Sequence, residues 1–201
     1  MLNRYARTFT TWAVTPLARL LVRARVSPDA VSVTGTLGVC AGALYHFPAG
    51  HLFVGTLVVT CFVLFDLLDG VMARLVGRPS RWGAFLDSTL DRIADTAVFA
   101  GLVLWFGGDS DLYAALALYC LVTGVLVSYA KARAEGLAMT ADVGLAERAE
   151  RLILVLTGAG LSGLGVPYAL ETGLWVLAVA STVTLLHRVL VVRRQALAER
   201  H

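Results

Sequence analysis

Residues 66–91 read DLLDGVMARLVGRPSRWGAFLDSTLD, so that four carboxylates, Asp66, Asp69, Asp87 and Asp91, interrupt sequence otherwise apolar enough to lie in a membrane. An ionisable side chain at the bilayer centre costs about 2.5–3.5 kcal/mol even on the most lenient scale, so four acids demand a compensating cation or a water-filled cavity. On helices, Asp66 and Asp69 are three residues apart and share one face, while Asp87 and Asp91 are four apart and share another. If the two helices are neighbours joined by the short link from Val76 to Trp82, the pairs converge into one four-carboxylate cluster. Hard oxygen donors at that density suit Mg2+, Mn2+ or Ca2+ rather than zinc. A single Asp near a helix end is commonly a solvated cap or an ion-pair member, but that does not account for four at these spacings. Asp95 continues the Asp87 and Asp91 face one turn further, as a partner of Arg92 or as another ligand.

The residues between the acids suit an anionic substrate. Gly70 and Ala73 lie on or beside the Asp66 and Asp69 face, and Gly83 opens the next span. Small residues there let a flat or phosphorylated group approach the backbone. Arg74, one turn beyond, can offer a planar fork of donors to a phosphate.

The elements that must position these groups are membrane spans. The chain has 201 residues, 58% hydrophobic and 15% charged, with a mean hydropathy of +0.74. A soluble domain averages about 45–50% apolar and about 25% charged. Apolar runs from Val31 to Phe47, Leu52 to Leu68, Ala84 to Phe106, Leu112 to Ala130, Leu152 to Val166 and Leu174 to Val192 predict an all-α polytopic protein with six transmembrane helices. Turn-like breaks at 46–50, 107–111 and 163–167 separate them.

The 17 Lys and Arg residues fall almost wholly before the first span, between spans two and three, around the link from span four to span five, and at the C-terminus. The positive-inside rule then puts both termini and the acid cluster on the cytoplasmic side of the cell membrane. Residues 1–25, with five Arg and no acid, predict an interfacial amphipathic juxtamembrane helix preceding a transmembrane domain over 26–201. Arg19, Arg23 and Arg25 interrupt the place where the apolar core of a signal peptide would run. Cys40, Cys61 and Cys120 fall at different heights in apolar runs and read as small hydrophobes. No repeat, low-complexity tract or nucleic-acid module is visible.

The second half carries cations at the cytoplasmic ends of the spans: Lys131, the only lysine, with Arg133, Arg151 and Arg188. Gathered together they form a basic pocket that suits an anionic ligand; taken singly they read as positive-inside anchors snorkelling to headgroups.

The pattern D-x2-D-G-x2-A-R-x8-G-x3-D-x3-D, matched at Asp66, Asp69, Gly70, Ala73, Arg74, Gly83, Asp87 and Asp91, resembles the signature of the CDP-alcohol phosphotransferases. The resemblance implies six transmembrane helices, a homodimer, and two Mg2+ or Mn2+ ions on the diphosphate of a CDP-linked lipid. It assigns Asp66, Asp69 and Asp87 as metal ligands and Asp91 as both ligand and general base. Gly70, Ala73, Arg74 and Gly83 then line the CDP-lipid site, with Ser27, Pro28 and Asp29 contacting the nucleotide; Asp29 stands where many relatives carry Asn.

The stretches SYAKARAE, ERAERLILVLTGAG, SPDAVSVTGT and FDLLDGVMAR resemble the actinobacterial phosphatidylinositol-phosphate synthases within that family. This implies transfer of a phosphatidyl group from CDP-diacylglycerol to myo-inositol 1-phosphate, with Ser128, Lys131, Arg133, Arg151 and Arg188 holding the acceptor. The alternatives are phosphatidylglycerophosphate synthesis from glycerol 3-phosphate and, from another class, divalent-cation transport. Transport needs access from both faces, whereas here the acids and cations gather toward one side.

Overall fold

The computed structural model describes residues 15–75 and 80–198, apart from the side chains of Asp66 and Leu67. Among the described residues the chain is helical, with no strand: α1 (Pro28–His46), α2 (Leu52–Val63), α3 (Phe65–Leu75), α4 (Arg81–Phe106), α5 (Asp111–Glu135), α6 (Arg148–Gly163) and α7 (Ala169–Ala198). Among the described residues, three stretches are long and apolar enough to cross a membrane: Leu52–Leu75, which joins α2 and α3, Asp111–Glu135 and Ala169–Ala198. The remaining three differ for visible reasons. α4 is 26 residues long but carries Asp87, Asp91, Arg92 and Asp95; α6 has 16 residues; and Ser, Thr and Gly dilute the apolar content of α1. Large apolar side chains such as Leu37, Leu57, Leu104 and Ile153 are exposed, which a lipid environment tolerates and water does not.

Two compact units divide the chain. The first comprises the described residues up to Leu44 together with Leu57–Val98. Within it, α1 presents Gly35, Gly38 and Gly42 to the partner helices: a Cβ at Gly38 would overlap the Phe62 ring, and one at Gly35 would lie 2.9 Å from Cβ of Phe65. Small residues on one face let backbones approach, and here they seat α1 against the α2–α3 stretch that carries Asp69.

Most of the expected N-terminal amphipathic helix, residues 1–14, lies outside the described residues, as does Arg78 of the link between the acid pairs. Residues 15–23 are helical. Ala18, Leu21 and Val22 of that segment pack with Val31 of α1 and Leu68, Val71 and Met72 of α3, while Leu17 and Leu20 are exposed. The segment ends in a Schellman turn, Val26 N–H to Leu21 O at 3.0 Å and Arg25 N–H to Val22 O at 3.0 Å, with Arg25 left-handed at φ 60°.

The second unit comprises Tyr45–Thr56 and the described residues from Phe99 onward. Its centre is α7, which packs on both α5 and α6. The buried stripe of α7 changes chemistry along its length, from Leu170, Leu174 and Leu177, through Ser181 and Thr184, to Arg188. Gly158 of α6 comes against the backbone of Ala169 and Leu170, 3.1 Å from where its Cβ would stand. Gly50 and Gly165 end α1 and α6 in left-handed turns, as the turn-like breaks in the sequence predict.

Candidate active site

In the first unit the acids ride on α3 and α4. Leu64 interrupts the helix between α2 and α3, and α3 then presents Asp66, Asp69, Gly70, Ala73 and Arg74 along its length. Asp69 is 7% exposed and Ser32, on α1, is 8% exposed. The Ser32 hydroxyl donates to Oδ2 of Asp69, so a neutral donor from another helix orients a buried carboxylate. Next to it, a Cβ at Gly70 would meet, among the described residues, only Nη1 of Arg74, at 3.9 Å. That leaves room for a ligand to reach the α3 backbone.

α1 and α4 begin in the same way. The Ser27 hydroxyl accepts the Ala30 N–H at 3.2 Å and the Ser80 hydroxyl accepts the Gly83 N–H at 2.8 Å, both side-chain caps on the third helical N–H. Pro28 fills the first helical position, where its missing N–H costs nothing. The Asp29 carboxylate accepts the Trp82 indole N–H at 3.1 Å, which ties the first turn of α1 to the first turn of α4. Two capped helix N-termini and Arg74 make a setting suited to phosphate.

Along α4, Asp87, Asp91 and Asp95 recur every fourth residue on one face. Asp87 is exposed, the Asp91 side chain is 13% exposed with Arg92 at 3.4 Å, and Asp95 is 5% exposed. Among the described residues, no three His, Cys, Asp or Glu side chains by themselves form a group that could hold a metal ion; the side chain of Asp66, the fourth acid of the pattern, lies outside the description. The donors present are of the right chemistry for Mg2+ or Mn2+, all carboxylate oxygen, with one carboxylate buried and oriented by a hydroxyl. The three cysteines are free and carry no such role.

The second unit gathers four of the five candidate acceptor residues around residues 136–147, which join α5 to α6. Arg188 is 3% exposed. Its Nη1 donates to Val127 O at 2.7 Å, its Nε to Val143 O at 2.9 Å and its Nη2 to Glu147 Oε1 at 3.4 Å. Arg151 is 2% exposed; it donates to Ala146 O at 3.4 Å and lies over Gly124, whose absent Cβ would stand 3.3 Å from its Nε. Lys131 pairs with Asp142. Ser128 is half-buried on α5 next to the carbonyl that Arg188 binds, whereas Arg133 is exposed at the end of that helix.

Sequence reasoning missed the residues that hold these groups in place: Ser32, Trp82, Asp142, Glu147, Thr184 and Gln195. One signal was available, since Thr184, Arg188 and Gln195 fall on one helical face at intervals of four and seven.

The family model for CDP-alcohol phosphatidyltransferases matches residues 25–192. The chain belongs to the CDP-alcohol phosphatidyltransferase family. The match spans both the acid pattern and the cations from Lys131 to Arg188, so this member of the family is a transferase. It is 52% identical over 205 residues to a phosphatidylinositol phosphate synthase of Streptomyces avermitilis, covering 98% of this chain and 84% of the relative. It is also 52% identical over 181 residues to one of Mycobacteroides abscessus, covering 89% and 82%.

Among solved structures, this phosphatidyltransferase is similar to the Mycobacterium tuberculosis phosphatidylinositol phosphate synthase in complex with manganese and citrate, with a TM-score of 0.86, 49% identity, and 89% and 88% of the two chains covered. The same enzyme with CDP-DAG bound gives a TM-score of 0.85 at 50% identity, covering 89% and 92%.

Proposed function

We propose that this protein transfers the phosphatidyl group of CDP-diacylglycerol to myo-inositol 1-phosphate, releasing CMP and leaving phosphatidylinositol phosphate in the membrane. The observation that carries the acceptor is the basic cluster of the second unit, Lys131, Arg151 and Arg188, which favours a phosphorylated alcohol over a neutral or cationic one. The names of relatives about 52% identical over most of the chain point the same way.

Asp66, Asp69, Asp87 and Asp91 would hold two divalent ions, Mg2+ or Mn2+. When bound, such ions neutralise charge on the diphosphate and on the departing CMP. Ser32 keeps Asp69 in one orientation. Gly70, Ala73, Arg74 and Gly83 line the CDP-lipid site, with Ser27, Pro28 and Asp29 at the capped start of α1. Asp91 accepts the proton of the acceptor hydroxyl as its oxygen attacks the phosphorus that carries diacylglycerol. The bond from that phosphorus to the bridging diphosphate oxygen breaks. Ser128, Lys131, Arg133, Arg151 and Arg188 hold the acceptor phosphate.

The accompanying architecture is an interfacial helix over 1–25 and a domain over 26–201 with six spans. Both termini and the active site face the cytoplasm at the cell membrane, and the enzyme is a homodimer. The one-sided distribution of Lys and Arg supports this orientation.

Purified enzyme given labelled CDP-diacylglycerol and either inositol 1-phosphate, glycerol 3-phosphate or free inositol tests the reading. Lipid product is expected with inositol 1-phosphate alone, abolished by chelation and restored by Mn2+ or Mg2+. Product from glycerol 3-phosphate and none from inositol 1-phosphate overturns it.

A further inference from the structure

Residues 136–147 contain neither helix nor strand, and a connection of that length without structure of its own is uncommon outside functional loops. Here α7 pins it at successive points. Gln195 accepts the Thr140 N–H at 3.0 Å and donates to the Thr140 carbonyl at 2.6 Å. Arg188 binds the Val143 carbonyl at 2.9 Å. The Thr184 hydroxyl accepts the N–H groups of Leu145 and Ala146, each at 3.1 Å, while its own proton goes to Ala180 O at 2.7 Å. Ala141 and Ala146 are buried. The loop is therefore a fixed strap, and its backbone cannot swing without breaking several bonds to one helix face.

Between the pins stands Asp142, its side chain 67% exposed, paired with Lys131. Lys131 holds the Asp142 carboxyl below the usual carboxylate range, chiefly by its hydrogen bond and then by its charge, so the group is an anion at neutral pH. The strap thus delivers a carboxylate to the ammonium proposed above to bind the acceptor phosphate.

Resting on that acceptor reading, we propose that Asp142 is an internal competitor for Lys131 and a determinant of acceptor specificity. An arriving phosphate exchanges one anion for another at Lys131, and Asp142 yields by turning about its own side-chain bonds while the strap stays in place. A neutral polyol brings no charge to make that exchange, so the pair stays closed against it.

The test is Asp142→Asn beside Glu135→Gln, which removes the same charge one helical turn from Lys131. Steady-state kinetics would give KM for inositol 1-phosphate, KM for CDP-diacylglycerol, and Ki for inorganic phosphate as a competitor of the acceptor. An exposed ion pair is worth about a two- to fivefold change in affinity. Asp142→Asn should lower the acceptor KM and the phosphate Ki by that factor, with the CDP-diacylglycerol KM unmoved and a smaller effect from Glu135→Gln. An unchanged or raised acceptor KM overturns the proposal, as does an equal fall in both variants. Should glycerol 3-phosphate prove to be the acceptor, the inositol reading fails, while the competitor role is still decided by the glycerol 3-phosphate KM and the phosphate Ki.

Discussion

Ser32 on α1 donates its hydroxyl proton to the carboxylate of Asp69 on α3, with both residues less than a tenth exposed. This bond links a helix with no acid of the signature to one that carries two of them. Removing an orienting partner of this kind typically weakens metal binding about 10- to 100-fold. Ser32→Ala should therefore weaken Mn2+ binding by about that factor in a calorimetric titration, while Ser32→Thr, which keeps the hydroxyl, should recover most of it. Equal Mn2+ affinity in Ser32→Ala and the parent would show that the bond does not serve the metal site.

Asp91 and Asp87 share a face of α4 but are assigned different work. Loss of a general base lowers turnover about 10²- to 10⁴-fold, whereas loss of one ligand weakens ion binding. Asp87→Asn should regain turnover as Mn2+ is raised, and Asp91→Asn should remain slow at any Mn2+ concentration with its helical circular dichroism unchanged. Recovery of both variants to the same level would make Asp91 a ligand only.

Arg188 spends three nitrogens on three partners, two of them backbone carbonyls. Lysine carries a point charge and cannot reproduce that fork. Hydrogen bonds from charged groups contribute about 1.5–3 kcal/mol each, so Arg188→Lys should cost about 3 kcal/mol of stability. It should also raise the acceptor KM more than the CDP-diacylglycerol KM. Thermal unfolding in detergent and steady-state kinetics measure the two effects; a rise in KM at unchanged Tm would mean the strap does not depend on Arg188.

Gly144 adopts φ 132°, and a Cβ there would overlap Cγ2 of Thr184. Backbone strain and overpacking each cost about 1–3 kcal/mol, so Gly144→Ala should lower Tm clearly. Adding Thr184→Ser keeps the hydroxyl that caps Leu145 and Ala146 and removes the colliding methyl, so it should restore part of the loss. Ala138, left-handed at φ 59° at the end of α5, offers the opposite case: Ala138→Gly should raise stability by up to about 1 kcal/mol.

The acids and the small residues between them were legible because their types are rare in apolar sequence and their spacing matches a helix, and the basic residues of the second half because they fall at the ends of apolar runs. The helix order was legible from the apolar runs, and the helices α1 to α7 fall on or beside them. The orienting contacts were not. Ser32 and Asp69 are 37 residues apart, Trp82 and Asp29 are 53 apart, and Gln195 and Thr140 are 55 apart. Serine, tryptophan and glutamine are ordinary residues whose roles depend on what packs beside them. The family resemblance implies that Ser27 and Pro28 contact the nucleotide, and the local geometry adds that they start and cap α1.

The sequence by itself determined where chemistry must lie, because a hydrocarbon environment leaves four carboxylates no cheap place except a functional site, and the resemblance of their pattern to the CDP-alcohol phosphotransferases implied the reaction. Tertiary structure alone decided how those groups are held. A helix period places side chains on a common face, but only packing brings Ser32 to Asp69, buries Arg188 against three partners, and lays the 136–147 strap along α7 so that Asp142 meets Lys131. Burial converts a mobile cation into a fixed fork, because an arginine withdrawn from solvent must find its partners in the protein.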